Sequence, residues 1–336
     1  MFVLESYAVA VVFCVITMLC WGSWANTQKL AGKTWRFELF YWDYVLGVLL
    51  MALVFAFTMG SFGSSGRGFL EDVGQADSGN LGLAVAGGAV FNAANILLVA
   101  AIAVSGMSVA FPVGIGIALV EGVLVNYLTS PKGNPILLFT GVALITAAIV
   151  LDAVAYGRLP RQSKGGTARG LILAVFCGIL MGLFYFLVKE AMPEPEPKNF
   201  INLPAGKLSP YTAMVFFSLG MLASQLVFNT ANIIGWSTES EPRTPDYLKG
   251  RPRDHLWGIV GGTIWAVGMT FSIVAFGVAG PAISYGLGQG ATMVAAFWGV
   301  CIWREFREAP PGTNKLIWLM FAGYFVGLAL IIWSGA

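Results

Sequence analysis

The stretch 87-GGAVFNAANILLVAAIAVSGMSVAFPVGIGIALVEG-122 has a counterpart at 261-GGTIWAVGMTFSIVAFGVAGPAISYGLGQGATMVAA-296. One displacement of 174 positions lays Gly87, Gly88, Gly106, Gly114 and Gly116 on Gly261, Gly262, Gly280, Gly288 and Gly290 without a gap. Each stretch is a pair of apolar runs, each near the ~20 residues that span a bilayer as helix. They are joined at Gly106 or Gly280 by a connection so short that the two helices must form an antiparallel hairpin.

Working outward, apolar segments of the same size occur at 7–29, 39–60, 81–104, 108–129, 136–156, 169–190, 211–235, 256–277, 281–303 and 315–334. A displacement of 160 also places Gly22 and Lys29 on Gly182 and Lys189. Five segments therefore map onto five, and the expected architecture is an all-α membrane protein of ten helices. The repeats are 1–157 and 169–336, joined by a short linker, 158–168. Because five is odd, the second repeat enters the membrane from the opposite side, the inverted arrangement of alternating-access transporters.

Composition agrees. Of 336 residues 57% are apolar and 11% charged, with mean hydropathy +0.77, against about a quarter charged in a soluble domain. The net charge of +2 is dispersed through short connections, which excludes a nucleic-acid footprint. Cys14, Cys20, Cys177 and Cys301 lie in apolar segments without Cys-x-x-Cys spacing, so they read as small buried residues and not as a disulfide framework or zinc site. The N-terminal run lacks a basic leader and continues to Asn26–Lys29, as a retained first helix would.

Assigning loops alternately to two faces gives 14 of the 19 Lys and Arg to one face. That face includes Lys29, Arg36, Arg158, Arg251, Arg304 and Lys315. The positive-inside rule makes it cytoplasmic and puts both termini outside a plasma (inner) membrane.

Polar groups in hydrocarbon either bond across helices or face a cavity. Asn92 and Asn95 share one face of the third segment, and Gln225, Asn229 and Asn232 stripe one face of the seventh. Amides of this kind suit a neutral hydrogen-bonding ligand. Glu121 sits near the middle of the fourth segment with no cation within a turn, so its reversible protonation would couple cargo movement to a proton gradient. Asp43 is placed to pair with Lys29 or Lys33 as an interfacial gate, while Asp152 reads as a snorkelling or capping residue. Trp21, Trp24 and Trp265 lie away from the interfacial belts, where indole faces stack on sugar or base rings. Trp257, Trp318 and Trp333 read as interface anchors. Tyr285 and Gln289 accompany Gly286, Gly288 and Gly290 in the ninth segment, matching the Pro112, Gly114 and Gly116 interruption of the fourth. Paired interruptions of this sort mark a midplane site.

The segments WGSWANTQK (21–29), GGAVFNAANILL (87–98), GMSVAFPVGIG (106–116), RGLILAVFCGILMG (169–182) and GGTIWAVG (261–268) resemble the bacterial sugar-uptake branch of the drug/metabolite transporter superfamily, which includes glucose/ribose and rhamnose–proton symporters. The chain start, WDY at 42–44 and NYL at 126–128 also resemble plant ureide permeases. In those permeases a long central loop carries a nucleotide-binding-like motif, whereas 157–168 here is short and holds only Lys164-Gly165-Gly166, so no phosphate cradle is expected.

The leading expectation is proton-coupled uptake of a neutral polar metabolite, a monosaccharide first, with a purine, nucleoside or ureide as the second reading. The site would comprise Asn92, Asn95, Gln225, Asn229, Gln289, Tyr285, Trp265, Trp24 and Asn26, with Glu121 and Asp43 handling the coupling proton, or sodium in its place. No cofactor, metal or catalytic group is expected. His255 falls in a loop, and neither H-E-x-x-H nor G-x-S-x-G is present.

Overall fold

The computed structural model describes residues 1–31, 35–159, 168–235 and 247–336, with 103, 107, 108 and 229–235 described as helical backbone only. Every regular element among the described residues is a helix. In chain order these are α1 (Tyr7–Ser23), α2 (Asn26–Ala31), α3 (Phe37–Phe57), α4 (Phe69–Gln75), α5 (Ser78–Ser105), α6 (Met107–Thr129) and α7 (Pro135–Gly157). Then come α8 (Ala168–Ala191), α9 (Pro197–Ile201), α10 (Pro210–Gly235), α11 (Pro252–Ala279), α12 (Pro281–Gly288) and α13 (Ala291–Phe297). A π-helical turn, Trp298–Ile302, leads to α14 (Thr313–Ser334).

Nine helices among the described residues are long and apolar enough to cross a membrane, the first formed by α1 and α2 together. Whereas α6 runs through Pro112 without the expected interruption, the ninth expected segment, 281–303, is interrupted. It divides into α12 and α13 at Gln289–Gly290 and ends in the π turn. Gly286, Gly288 and Gly290 lie within five positions and deprive this stretch of side chains that favour helix.

Gly106 (φ 80, ψ 160) and Gly280 (φ 84, ψ 157) adopt the same backbone conformation, each ending one helix and starting the next. Such φ values are costly for any residue with a Cβ, which explains why glycine stands at both hinges. Packing repeats the correspondence. A Cβ on Gly88 would overlap the Phe217 carbonyl and one on Gly220 the Val85 carbonyl, locking α5 to α10. A Cβ on Gly262 would overlap the Tyr44 carbonyl and one on Gly47 the Ile259 carbonyl, locking α11 to α3. Likewise α5 lies on α8 as α11 lies on α1, while α6 meets α12 and α7 meets α14. Small residues at these crossings allow backbones to approach where lipid supplies no hydrophobic drive.

Both chain ends lie on one face, where the Tyr7 hydroxyl donates to the Ile332 carbonyl at 2.6 Å. That face is sealed by the connections around α4 and α9. Asp72, fully buried, accepts from Arg67 Nε (3.1 Å), Gln75 Nε2 (3.2 Å) and the Ser209 amide (2.8 Å). Arg67 also donates to the Leu203, Pro204 and Lys207 carbonyls. Two loops far apart in sequence thus share one hydrogen-bonded core. Of the cysteines, Cys14 and Cys177 are buried as expected, but Cys301 is exposed because it lies in the π turn at the bundle edge.

Candidate functional site

The crossing of α1, α5, α6, α8, α11 and α13 leaves an inner chamber of about 210 Å³. Its wall is aromatic: Trp21, Trp24, Phe91, Phe111, Phe184 and Trp265, completed by Leu98, Ile115 and Met181. Trp21 and Trp265 stack with centroids 5.9 Å apart and planes 10° from parallel, and Trp265 in turn stacks on Phe217 at 5.8 Å. These separations are those of rings in direct contact, so the indoles form one continuous surface and not two jaws with a gap. Polar groups enter at Asn95, Gln289 and Thr292, and among the described residues no ionisable carboxylate, amine, imidazole or guanidinium lines this chamber.

A vestibule of about 240 Å³ adjoins it, sharing Gly22, Ala25, Phe111, Thr292 and Ala295. Its character is different. Asn26, Lys29, Asp152, Tyr156, Trp298, Trp303 and Glu305 line it. Lys29 Nζ pairs with Glu305 Oε1 at 2.7 Å and stands 4.9 Å above the Trp303 ring. The Tyr156 hydroxyl donates to Glu305 Oε2 (2.7 Å), the Trp303 indole to Asn26 Oδ1 (2.6 Å) and the Trp298 indole to Ser23 Oγ (2.9 Å). The reversed backbone at Arg304 (φ 53) follows the π turn, carrying the chain to Glu305.

Of the expected site residues, Trp24, Asn95, Trp265 and Gln289 converge on the inner chamber and Asn26 on the vestibule. Others lie outside both. Asn92 is buried and donates to Ser224 Oγ (2.9 Å), and Gln225 is buried with neither amide atom partnered. Tyr285 is buried and donates to the Ala118 and Met181 carbonyls (3.2 and 3.0 Å), tying α12 to α6 and α8. The Asn229 and Asn232 side chains lie outside the described residues.

Glu121 is half-buried between α6 and α8, facing Gly182, and makes no hydrogen bond or ion pair among the described residues. Asn126, in the following turn of α6, donates to the Gly122 carbonyl at 2.7 Å. The expected pairing of Asp43 with Lys29 is replaced, since Lys29 is taken by Glu305, and Lys33 lies outside the described residues. Asp43, 2% exposed, accepts from the Tyr247 hydroxyl (2.6 Å) and lies 3.0 and 3.1 Å from His255 Nδ1. Burial and the neighbouring Asp43 hold the Tyr247 phenol above its usual range. His255 is thus in the first turn of α11, not in a loop, because the helix begins at Pro252, a favoured first helical residue. Asp152 neither caps nor snorkels, and its side chain forms part of the vestibule wall.

Sequence reasoning missed Phe91, Phe111, Phe184 and Thr292 in the chamber and Tyr156, Trp303 and Glu305 in the vestibule. Phenylalanine occurs 24 times, mostly facing lipid or packing, so residue type alone carried no signal for the first group.

A bundle of membrane-length helices around an aromatic chamber that adjoins a polar vestibule is the architecture of a multi-pass membrane transporter. The chain belongs to the ureide permease family, whose sequence profile matches residues 40–159 and 161–334. It is 25% identical to ureide permease 4 of Arabidopsis thaliana and 24% identical to ureide permease 1 of the same plant, each match covering 99% of both chains. Those alignments run over 405 and 393 positions, so the plant proteins carry residues absent from this chain. The family match breaks at residue 160, in the linker between α7 and α8. A crystal structure aligns over 97% of this chain and 98% of its own with a TM-score of 0.60 and 14% identity, a likeness of fold alone.

Proposed function

We propose that the protein is a secondary permease for a small neutral ring compound rich in amide-type N–H and C=O groups, of the ureide or nucleobase kind. The observation that carries this reading is the inner chamber. A continuous aromatic surface beside Asn95, Gln289 and Thr292, with no ionisable lining group among the described residues, suits a flat solute that stacks on one face and exchanges hydrogen bonds at its edge. The names of the plant relatives favour the same class over a monosaccharide.

In this reading α12, α13 and the π turn complete a tenth span, and the repeats are 1–157 and 169–336 with 158–168 between them. The matched glycine contacts of α5–α10 and α3–α11 support that organisation. The vestibule mouth bears Lys29 and lies opposite the termini, on the face with 14 of 19 basic residues, so the chamber is open toward the cytoplasm. A proton or sodium gradient drives uptake, with Glu121 and Asp43 as coupling candidates from their position within spans. Neither lines the chamber, so each would act through helix packing.

The test is uptake into proteoliposomes of a labelled cyclic ureide, a purine base, a pyrimidine base and a monosaccharide, each with and without an imposed pH gradient. Saturable uptake of the ureide or a base is expected. Uptake of the monosaccharide alone would overturn the reading.

A further inference from the structure

Among the described residues four aspartates are buried to 7% exposure or less: Asp43, Asp72, Asp152 and Asp254. Three have their charge answered. Asp43 faces His255 and Tyr247, Asp72 faces Arg67, Gln75 and the Ser209 amide, and Asp254 takes a bidentate pair from Arg251 at 2.8 and 2.9 Å. Asp152 makes no hydrogen bond or ion pair among the described residues, yet it borders the vestibule. A buried carboxylate without a partner is costly as an anion and needs no explanation once it binds a cation or proton from the adjoining space.

We propose that Asp152 is a proton-binding group that gates closure of the vestibule, loaded and emptied from the vestibule side. The surrounding groups give the proposal its logic. Glu305 faces the same space and takes the Lys29 ammonium and the Tyr156 hydroxyl. From α14 the buried Tyr324 hydroxyl stands in electrostatic reach of Asp152, and α6 contributes only Phe111 and Pro112 to this wall. The vestibule therefore holds two carboxylates and one cation. Closing it would press Asp152 and Glu305 together in a drier space, which like charges resist. Uptake of one proton by the Asp152 carboxylate, giving the neutral acid, removes that resistance; reopening returns the proton to vestibule water. Through the shared Gly22, Ala25, Phe111, Thr292 and Ala295, closure of the vestibule also confines whatever occupies the inner chamber.

This inference rests on the transport reading above, but its first test needs no cargo. Infrared difference spectra of the purified full-length protein across an acid titration should show a carboxyl C=O band that disappears in Asp152→Asn and persists in Asp152→Glu. In Glu305→Gln the band's midpoint should move by about one pH unit, and in Glu121→Gln it should stay in place. A band unchanged in Asp152→Asn, or lost in Glu121→Gln with Asp152 intact, overturns the proposal. In proteoliposomes, exchange of a labelled cyclic ureide should slow as the pH on the vestibule side rises, and Asp152→Asn should exchange at a rate that does not follow that pH. An unchanged pH dependence of exchange in Asp152→Asn overturns the proposal. A protein that titrates at Asp152 but moves no member of the cargo panel upholds the proton site and sinks the cargo reading instead.

Discussion

Along the middle of the bundle α8 lies on α6 so closely that a Cβ on Gly178 would stand 2.7 Å from the Gly114 carbonyl and one on Gly182 3.2 Å from the Gly122 amide. Tyr285 then stitches both helices to α12. Near the opposite face α1 meets α13 at Gly22, where a Cβ would run into the Ala291 carbonyl and Val294. Beyond that point Ala25, Asn26 and Lys29 border open space. Both matched helix pairs thus cross closely at a glycine, but past the α1 crossing the chain borders the vestibule. The two regions differ in what stands there: carbonyls, the Tyr285 phenol and Glu121 where the helices pack, and the Lys29–Glu305 pair with Asp152 where the wall opens. Dry surfaces hold together without solvent, whereas Lys29, Asp152 and Glu305 retain part of their stabilisation from water in the vestibule.

Substitutions can break this contrast in graded ways. The largest effects belong to the crossings both halves share. Gly88→Leu and Gly262→Leu should each cost about 3 kcal/mol or more and abolish a monodisperse peak in detergent, because the new side chain meets a carbonyl in both cases. Gly82→Leu, with nothing within 4 Å, should leave the peak intact. Next, Asp72→Ala removes the centre of the sealed face and strands Arg67 over three carbonyls. It should lower unfolding stability by about 3 kcal/mol, read as a fall in thermal midpoint.

Within the chamber, Gln289→Ala should raise the uptake KM roughly tenfold, about 1.4 kcal/mol for a lost hydrogen bond, while thermal stability changes little. The smallest shift is expected at the open mouth. Lys29 and Glu305 side chains are 50% and 31% exposed, so Lys29→Ala should cost under about 1 kcal/mol of stability. A loss as large as that of Asp72→Ala would show that the open face is no looser than the sealed one.

How much of this was legible in the sequence depended on which coordinate a residue encodes. Hydropathy gives depth, and the glycine register gives neighbours, because a close crossing admits no other side chain; Gly88, Gly262 and both hinge glycines were therefore readable in advance. Rotation about each helix axis was not. A helix apolar on every side shows no polar face to orient it, so Tyr285 and Glu121 had the right depth for a site and the wrong direction to line the chamber. Trp24, Trp265, Asn95 and Gln289 had both. The vestibule depends on Asp152, Tyr156 and Glu305 meeting Lys29 from three remote segments, a convergence that no local pattern records. The break at Gln289 was signalled by its glycines, but its form, two short helices and a π turn, depends on packing against α1.

The stacked pair Trp21–Trp265 borders the inner chamber directly. Two coupled indoles at the edge of a binding space act as a native optical reporter, since their emission responds to the polarity and contacts of what lies against them. Cargo entry should therefore be visible as a change in intrinsic fluorescence of the unlabelled protein, and a Trp265→Phe variant would identify which part of the signal comes from the chamber. The wall proposed to hold the solute is also an instrument for naming it.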